Sequence, residues 1–214
     1  MFLQAKNPNK EEHEPFIRAV FELCKYKDMW IHPRIKILKM DVPNAVAYGW
    51  GFFGQCSIGV TPKILEILDY NELKAVLAHE LAHIRSKDVG LSTVISILTG
   101  GLEKARAGVP KQGIFGWAFS ALLWFVSKIL FGFLRSAISQ ERELAADALG
   151  ASYIGSPDDL ISAFRKFEVW HKQEQEKKGE KVKTGSILSD LLISHPGMEE
   201  RIAALESLKI NHAN

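Results

Sequence analysis

Apolar positions recur at helical spacing near the start of the chain. Phe16, Ile17, Val20, Phe21, Leu23 and Cys24 predict a helix over residues 10–28, with glutamates early and lysines late as the helix dipole prefers. Alternation then takes over: Ile35, Ile37, Leu38 and Met40 predict a strand over 34–42, a second follows the Pro43 break over 44–50, and a third covers 57–60. Together they read as a small antiparallel sheet. Gly49, Gly51 and Gly54 bracket Phe52 and Phe53 and suggest a turn or bulge between the second and third strands. Thr61-Pro62 opens a short helix in which Thr61 can cap. Asp69 and Glu72 form a capping-box pattern at the head of a longer helix through Leu73, Val76, Leu77, Leu81 and Ile84. That helix carries the sequence HELAH.

Beyond Asp88 the pattern becomes apolar. Residues 89–102 and 113–127 are uncharged, and the second stretch continues past Lys128 to Leu134. The chain then resumes an amphipathic helix at SQERELAADALG, starts another at Pro157-Asp158, crosses a charge-dense stretch over 165–183 and ends in a helix entered at Pro196. The whole reads as one α+β, mainly helical domain over 1–214, with 89–134 as a hydrophobic helical insertion.

Composition narrows the classes. With 47% hydrophobic and 24% charged residues the chain can bury a core. A net charge of +2 lacks the electrostatic footprint of phosphate-backbone binding, so nucleic acid is not an expected partner. Cys24 and Cys56 form no C-x-x-C pair, which argues against a disulfide framework or a cysteine metal site. The polar start, MFLQAKNPNKEEHEP, reads as neither a signal peptide nor a transmembrane segment.

HELAH supplies the chemistry. His79 and His83 lie four residues apart, so on a helix both imidazoles project from one face and can share a metal. Glu80 lies between them, placed to take a proton from water that zinc would acidify to a pKa of roughly 7. A catalytic zinc wants three protein ligands, and HELAHIRSKDVG lacks the nearby third histidine of metzincins. Glu141, Glu143, Asp147, His171 and His195 are the downstream candidates.

The order HELAH, apolar insertion, SQERELAADALG, HPGMEERI resembles the HtpX heat-shock protease family and the related CAAX prenyl proteases, over about residues 44–204. The resemblance implies a zincin-like gluzincin: a zinc-dependent endopeptidase acting on unfolded or membrane-associated polypeptides, with one Zn2+ per chain. It makes Glu143 the third ligand and Asp147 a partner of a ligand histidine. It also places His195 as oxyanion donor within an H-P…R-I segment that includes Arg201, and NAVAYG, from Asn44, as the strand that pairs with substrate backbone. The competing reading is a latent or non-catalytic membrane scaffold that keeps a metal site; hydrolysis needs Glu80 and a structural site does not.

The resemblance further implies a membrane hairpin between the two ligand-bearing helices. Residues 114–134 favour insertion, the apolar side chains outweighing Lys128, whereas 89–102 is shorter than the roughly 17 residues that span. Arg85, Lys87, Arg135 and Arg142 flank the insertion, so the catalytic side is expected to face the cytoplasm.

Overall fold

A computed structural model describes residues 4–26, 32–50, 55–109, 113–137, 140–178 and 197–212. Its elements run β1 (Ala5–Lys6), α1 (Glu14–Tyr26), β2 (Arg34–Leu38), β3 (Ala45–Trp50), β4 (Gln55–Val60), α2 (Pro62–Ile67), α3 (Tyr70–Arg85), α4 (Asp88–Gly108), α5 (Gly113–Ala137), α6 (Gln140–Ile154), α7 (Asp158–Lys178) and α8 (Met198–His212). The protein is mainly helical with one small sheet, and the apolar α5 falls between the helices of HELAH and Glu143.

The sheet departs from the expected antiparallel form. Its order is β1-β2-β4-β3, with β2 and β4 parallel and the other pairs antiparallel. Burial explains the order: Cys56, Ile58, Gly59 and Val60 of β4 are buried and take a central place, while the partly exposed β3 goes to the edge. Alternation reports which face of a strand is apolar and says nothing of who its neighbours are. β1 lies in the polar start, where no strand was expected. The glycine turn expected between β3 and β4 rests partly on residues 51–54, outside the described residues.

Helix α3 runs through the middle, flanked by α1, β3, α6 and α7. Nearly all of it is buried, as an apolar helix surrounded by partners must be. Its start is fixed by a full capping box: Asp69 Oδ1 accepts from the N–H groups of Asn71 and Glu72 at 2.9 and 3.0 Å, and Glu72 Oε2 accepts from the Asp69 N–H at 2.9 Å. The buried Glu72 also accepts from Ser162 Oγ at 2.7 Å and Lys166 Nζ at 2.5 Å, which ties α7 to the same turn. Thr61, expected to cap α2, makes no such bond; its hydroxyl accepts the Asn44 N–H at 2.9 Å instead and anchors the start of the edge strand.

At the far end of α3, Lys87 adopts a left-handed φ of 63° and turns the chain into α4. Helices α4 and α5 pack on each other, and α4 also packs against β3. Glu103 on α4 accepts from Ser127 Oγ on α5 at 3.0 Å, a polar contact between the two arms.

Candidate metal centre

Two helices bring the metal-binding chemistry together. α3 carries His79, Glu80 and His83, and α6 carries Glu143 and Asp147. The helices can touch because α6 presents Gly150 at the crossing: a Cβ there would lie 2.9 Å from the His79 nitrogen and 3.0 Å from its Cα. His79 Nε2 and His83 Nε2 stand 3.2 Å apart, His79 Nε2 lies 3.5 Å from Glu143 Oε2, and His83 Nε2 lies 3.3 Å from Glu143 Oε1. Tetrahedral coordination at zinc-ligand bond lengths separates donor atoms by about 3.3–3.5 Å, so the spacing suits a shared ion. Among the described residues this trio is the group able to hold a metal.

Charge makes a second test of fit. The buried carboxylates Glu80, Glu143 and Asp147 gather around His79, His83 and one buried guanidinium, Arg201. Buried negative charge is costly to concentrate, and a divalent cation at the trio would offset it. Without the ion, protons stand in. Burial works against charged imidazoles here, yet Asp147 and Glu143 outweigh it and raise the His79 pKa, while Asp88 and Glu143 raise that of His83 to about 10.

A ring of charge orients the ligands. Asp147 Oδ1 sits 2.8 Å from His79 Nδ1, leaving Nε2 toward the centre. Arg201, reaching in from α8, donates to both Asp147 oxygens, Nε to Oδ2 at 2.7 Å and Nη2 to Oδ1 at 2.6 Å, lies 3.2 Å from Glu143 Oε2, and stacks 4.4 Å over the Phe164 ring. Burial pushes the Asp147 carboxyl up, but Arg201 and His79 prevail and hold it below the ordinary range.

Two residues that the sequence did not single out join the site. Asp88 Oδ2 stands 3.6 Å from His83 Nδ1 while Oδ1 accepts from Arg142 Nη1 at 2.7 Å, so it faces His83 as Asp147 faces His79. An acid just past the histidine helix, ahead of the apolar run, is the signal that could have found it. The other is Ala47, whose N–H donates to Glu80 Oε2 at 2.7 Å; a main-chain donor leaves no trace in side-chain chemistry. Asn44 and Ala45 line a cavity of about 60 Å3 with His79, Glu80 and Arg201, which places the NAVAYG strand beside the centre.

The remaining ligand candidates separate. Glu141 is exposed on α6 and outside the trio. His171 lines the same cavity with its Nδ1 buried and without a hydrogen-bond partner, and burial lowers its pKa. His195 lies outside the described residues.

A family model, described as Peptidase family M48, matches residues 16–209. The chain belongs to peptidase family M48. Among its M48-type relatives, the Protease HtpX homolog of Aquifex aeolicus (strain VF5) is 32% identical, the alignment covering 91% of this chain and 72% of that protein. The Protease HtpX homolog of Desulforapulum autotrophicum is 31% identical, covering 81% of this chain and 62% of that one. Among solved structures, the crystal structure of S. mikatae Ste24p superposes with a TM-score of 0.58 at 19% identity, covering 95% of this chain and 51% of that chain, so this M48 chain shares its fold over about half its length. The resemblance to HtpX and CAAX prenyl proteases read from HELAH and its downstream segments is thereby shown, and with it membership of a peptidase family.

Proposed function

We propose that this chain is a zinc-dependent endopeptidase of HtpX type, folded as a single domain over 1–214, in which His79, His83 and Glu143 hold one Zn2+ and Glu80 is the general base. The observation that carries this reading is the convergence of three buried donors at ion-sharing distances, with the carboxylate of Glu80 on the adjacent position of the same helix. Zinc, when bound, supplies Lewis acidity toward water and a peptide carbonyl. Zinc is preferred over other divalent ions for its match to a His-His-carboxylate set.

The protein's own groups do the rest. Glu80 accepts the proton of the attacking water and passes it to the leaving amine. Asp147 and Asp88 fix the orientation of His79 and His83, and Arg201 neutralises the carboxylates behind them. The strand from Asn44 aligns substrate backbone by strand addition, and His195 donates to the developing oxyanion. Unfolded or membrane-associated polypeptides are the substrates, because strand addition needs an extended chain.

Helix α5 sets the location. Gly113–Gly132 forms 20 residues of mean hydropathy 1.8 with 6% of the stretch buried in the protein, and Phe115 and Trp117 are 88% and 72% exposed. Water is a poor solvent for such a surface, so we place α5 in a membrane, the catalytic side facing the cytoplasm. α4 carries Glu103, Lys104 and Arg106 near its end and falls short of a span by composition, but α3 and α6 meet at one centre, so the chain returns to the side it left and α5 enters the membrane as one arm of the α4–α5 hairpin.

The deciding experiment compares detergent-purified wild type with Glu80→Gln for bound zinc and for cleavage of unfolded casein. Zinc in both and cleavage by wild type alone is the expected result. Wild type without metal would sink the assignment.

A further inference from the structure

We propose that the main-chain N–H of Ala47 is a specificity-determining group: it holds Glu80 away from the reacting atoms until an extended polypeptide replaces it. The proposal rests on the peptidase reading above and concerns how substrate controls the base. β3 is the terminal strand in the order β1-β2-β4-β3, so one of its sides carries main-chain groups that no strand of this sheet takes up. The register fixes which groups these are. Thr61 donates to the Asn44 carbonyl at 2.9 Å, and Ala47 stands opposite Ile58. Hydrogen-bonded and non-bonded pairs alternate along an antiparallel ladder, so Asn44, Val46 and Tyr48 face β4 while Ala45 and Ala47 turn their N–H groups outward. The outward N–H of Ala47 meets Glu80 Oε2 at 2.7 Å.

A polypeptide that adds to β3 needs that same donor for one of its carbonyls. Glu80 and substrate therefore compete for one hydrogen. Glu80 is buried, and a bond from an amide to a carboxylate is stronger than one to a carbonyl. The exchange is driven only when the substrate forms several ladder bonds at once. When it does, the Ala47 hydrogen passes from Glu80 Oε2 to a substrate carbonyl, no covalent bond changes, and the freed carboxylate takes the proton of water at the centre as its new partner. A short amide that cannot reach Ala47 leaves Glu80 where it is. Extended, unfolded chain is selected at the base itself, in addition to being selected by binding.

The test has two arms. In wild type, a series of peptides lengthened one residue at a time past the scissile bond is expected to show kcat rising about tenfold at the length that first places a carbonyl on Ala47. A fall in KM with kcat unchanged would overturn the proposal, since that is uniform binding. The second arm reads equilibrium binding of a fluorescent extended peptide to Glu80→Gln and Glu80→Ala, each with and without Ala47→Pro. Proline removes the donor at an outward edge position that tolerates it. Glu80→Ala is expected to bind about tenfold tighter than Glu80→Gln, whose amide oxygen still accepts from Ala47, and Ala47→Pro is expected to abolish that difference. Equal binding by both Glu80 variants rejects the latch. Should Ala47→Pro fail to fold, the wild-type length series decides. Failure of wild type to cleave any peptide when loaded with metal rejects the peptidase reading instead, and is distinguished from failure of the latch by the binding arm.

Discussion

At the scale of single residues, carboxylates stand behind His79 and His83, and these give separable effects. Asp147→Asn keeps the shape of the side chain but can leave His79 in the wrong tautomer; metal affinity is expected to fall roughly 10–100-fold, read by competition with a chelator. Arg201→Ala strands Glu143 and Asp147 without their buried cation, and a stability loss of roughly 3–5 kcal/mol in denaturant unfolding is expected. Arg201→Lys should rescue little, because a single ammonium cannot bind both Asp147 oxygens as the guanidinium does. pH acts through His83. Its pKa in the metal-free protein is raised from the ordinary 6.5 to about 10, so metal must displace a proton across the neutral range. Metal affinity should climb with pH between about 6.5 and 10. The metal-free protein behaves in the opposite sense: the stabilisation from protonated His83 is complete below 6.5 and is lost as pH rises toward 10. Thermal unfolding with and without chelator across that window checks both signs. An affinity flat in pH would remove the proton from the account.

At the scale of elements, the crossing of α3 and α6 is the weakest point to disturb. Gly150→Ala forces a Cβ onto the main chain of His79, which cannot yield as a side-chain tip would. A destabilisation of about 1–3 kcal/mol is expected in denaturant unfolding, with metal affinity falling although no ligand has changed. What the sequence revealed at this scale follows from where its information lies. Helix α3 was legible from Asp69 through Glu72 to Ile84, because caps and a 3.6-residue period are local. α1 and α8 were legible on similar grounds, although their starts at Glu14 and Met198 differ from the expected ones; α7 was legible at its Pro157-Asp158 start but runs on to Lys178 through residues read as a charge-dense stretch. Strand order was not: β4 lies between β2 and β3, and no alternation of side chains records that. The three side chains that the fold brings together, His79, His83 and Glu143, were readable because the histidines share a helix and because the E-x-x-A-D segment resembles a known pattern. Asp88 and the Ala47 N–H were not, since each matters only through where the fold puts it.

For the whole molecule, α5 decides how the protein must be handled. Its exposed face, from Ile114 and Phe115 through Trp117, Phe119 and Leu122, is expected to carry the chain into the membrane pellet. Recovery in the soluble fraction without detergent would contradict this. Replacing Phe115 and Leu122 by lysine should shift the protein toward the soluble fraction, since each charge at depth costs roughly 2.5–3.5 kcal/mol. The position of that hairpin also sets a timetable. A chain leaving the ribosome exposes His79, Glu80 and His83 first, while Glu143, Asp147 and Arg201 follow only after α4 and α5. During synthesis the cutting apparatus is therefore incomplete for as long as the apolar segment is still being delivered. Glu143 arrives after that segment, so the proposed zinc site cannot close on the nascent chain before α4 and α5 have been delivered.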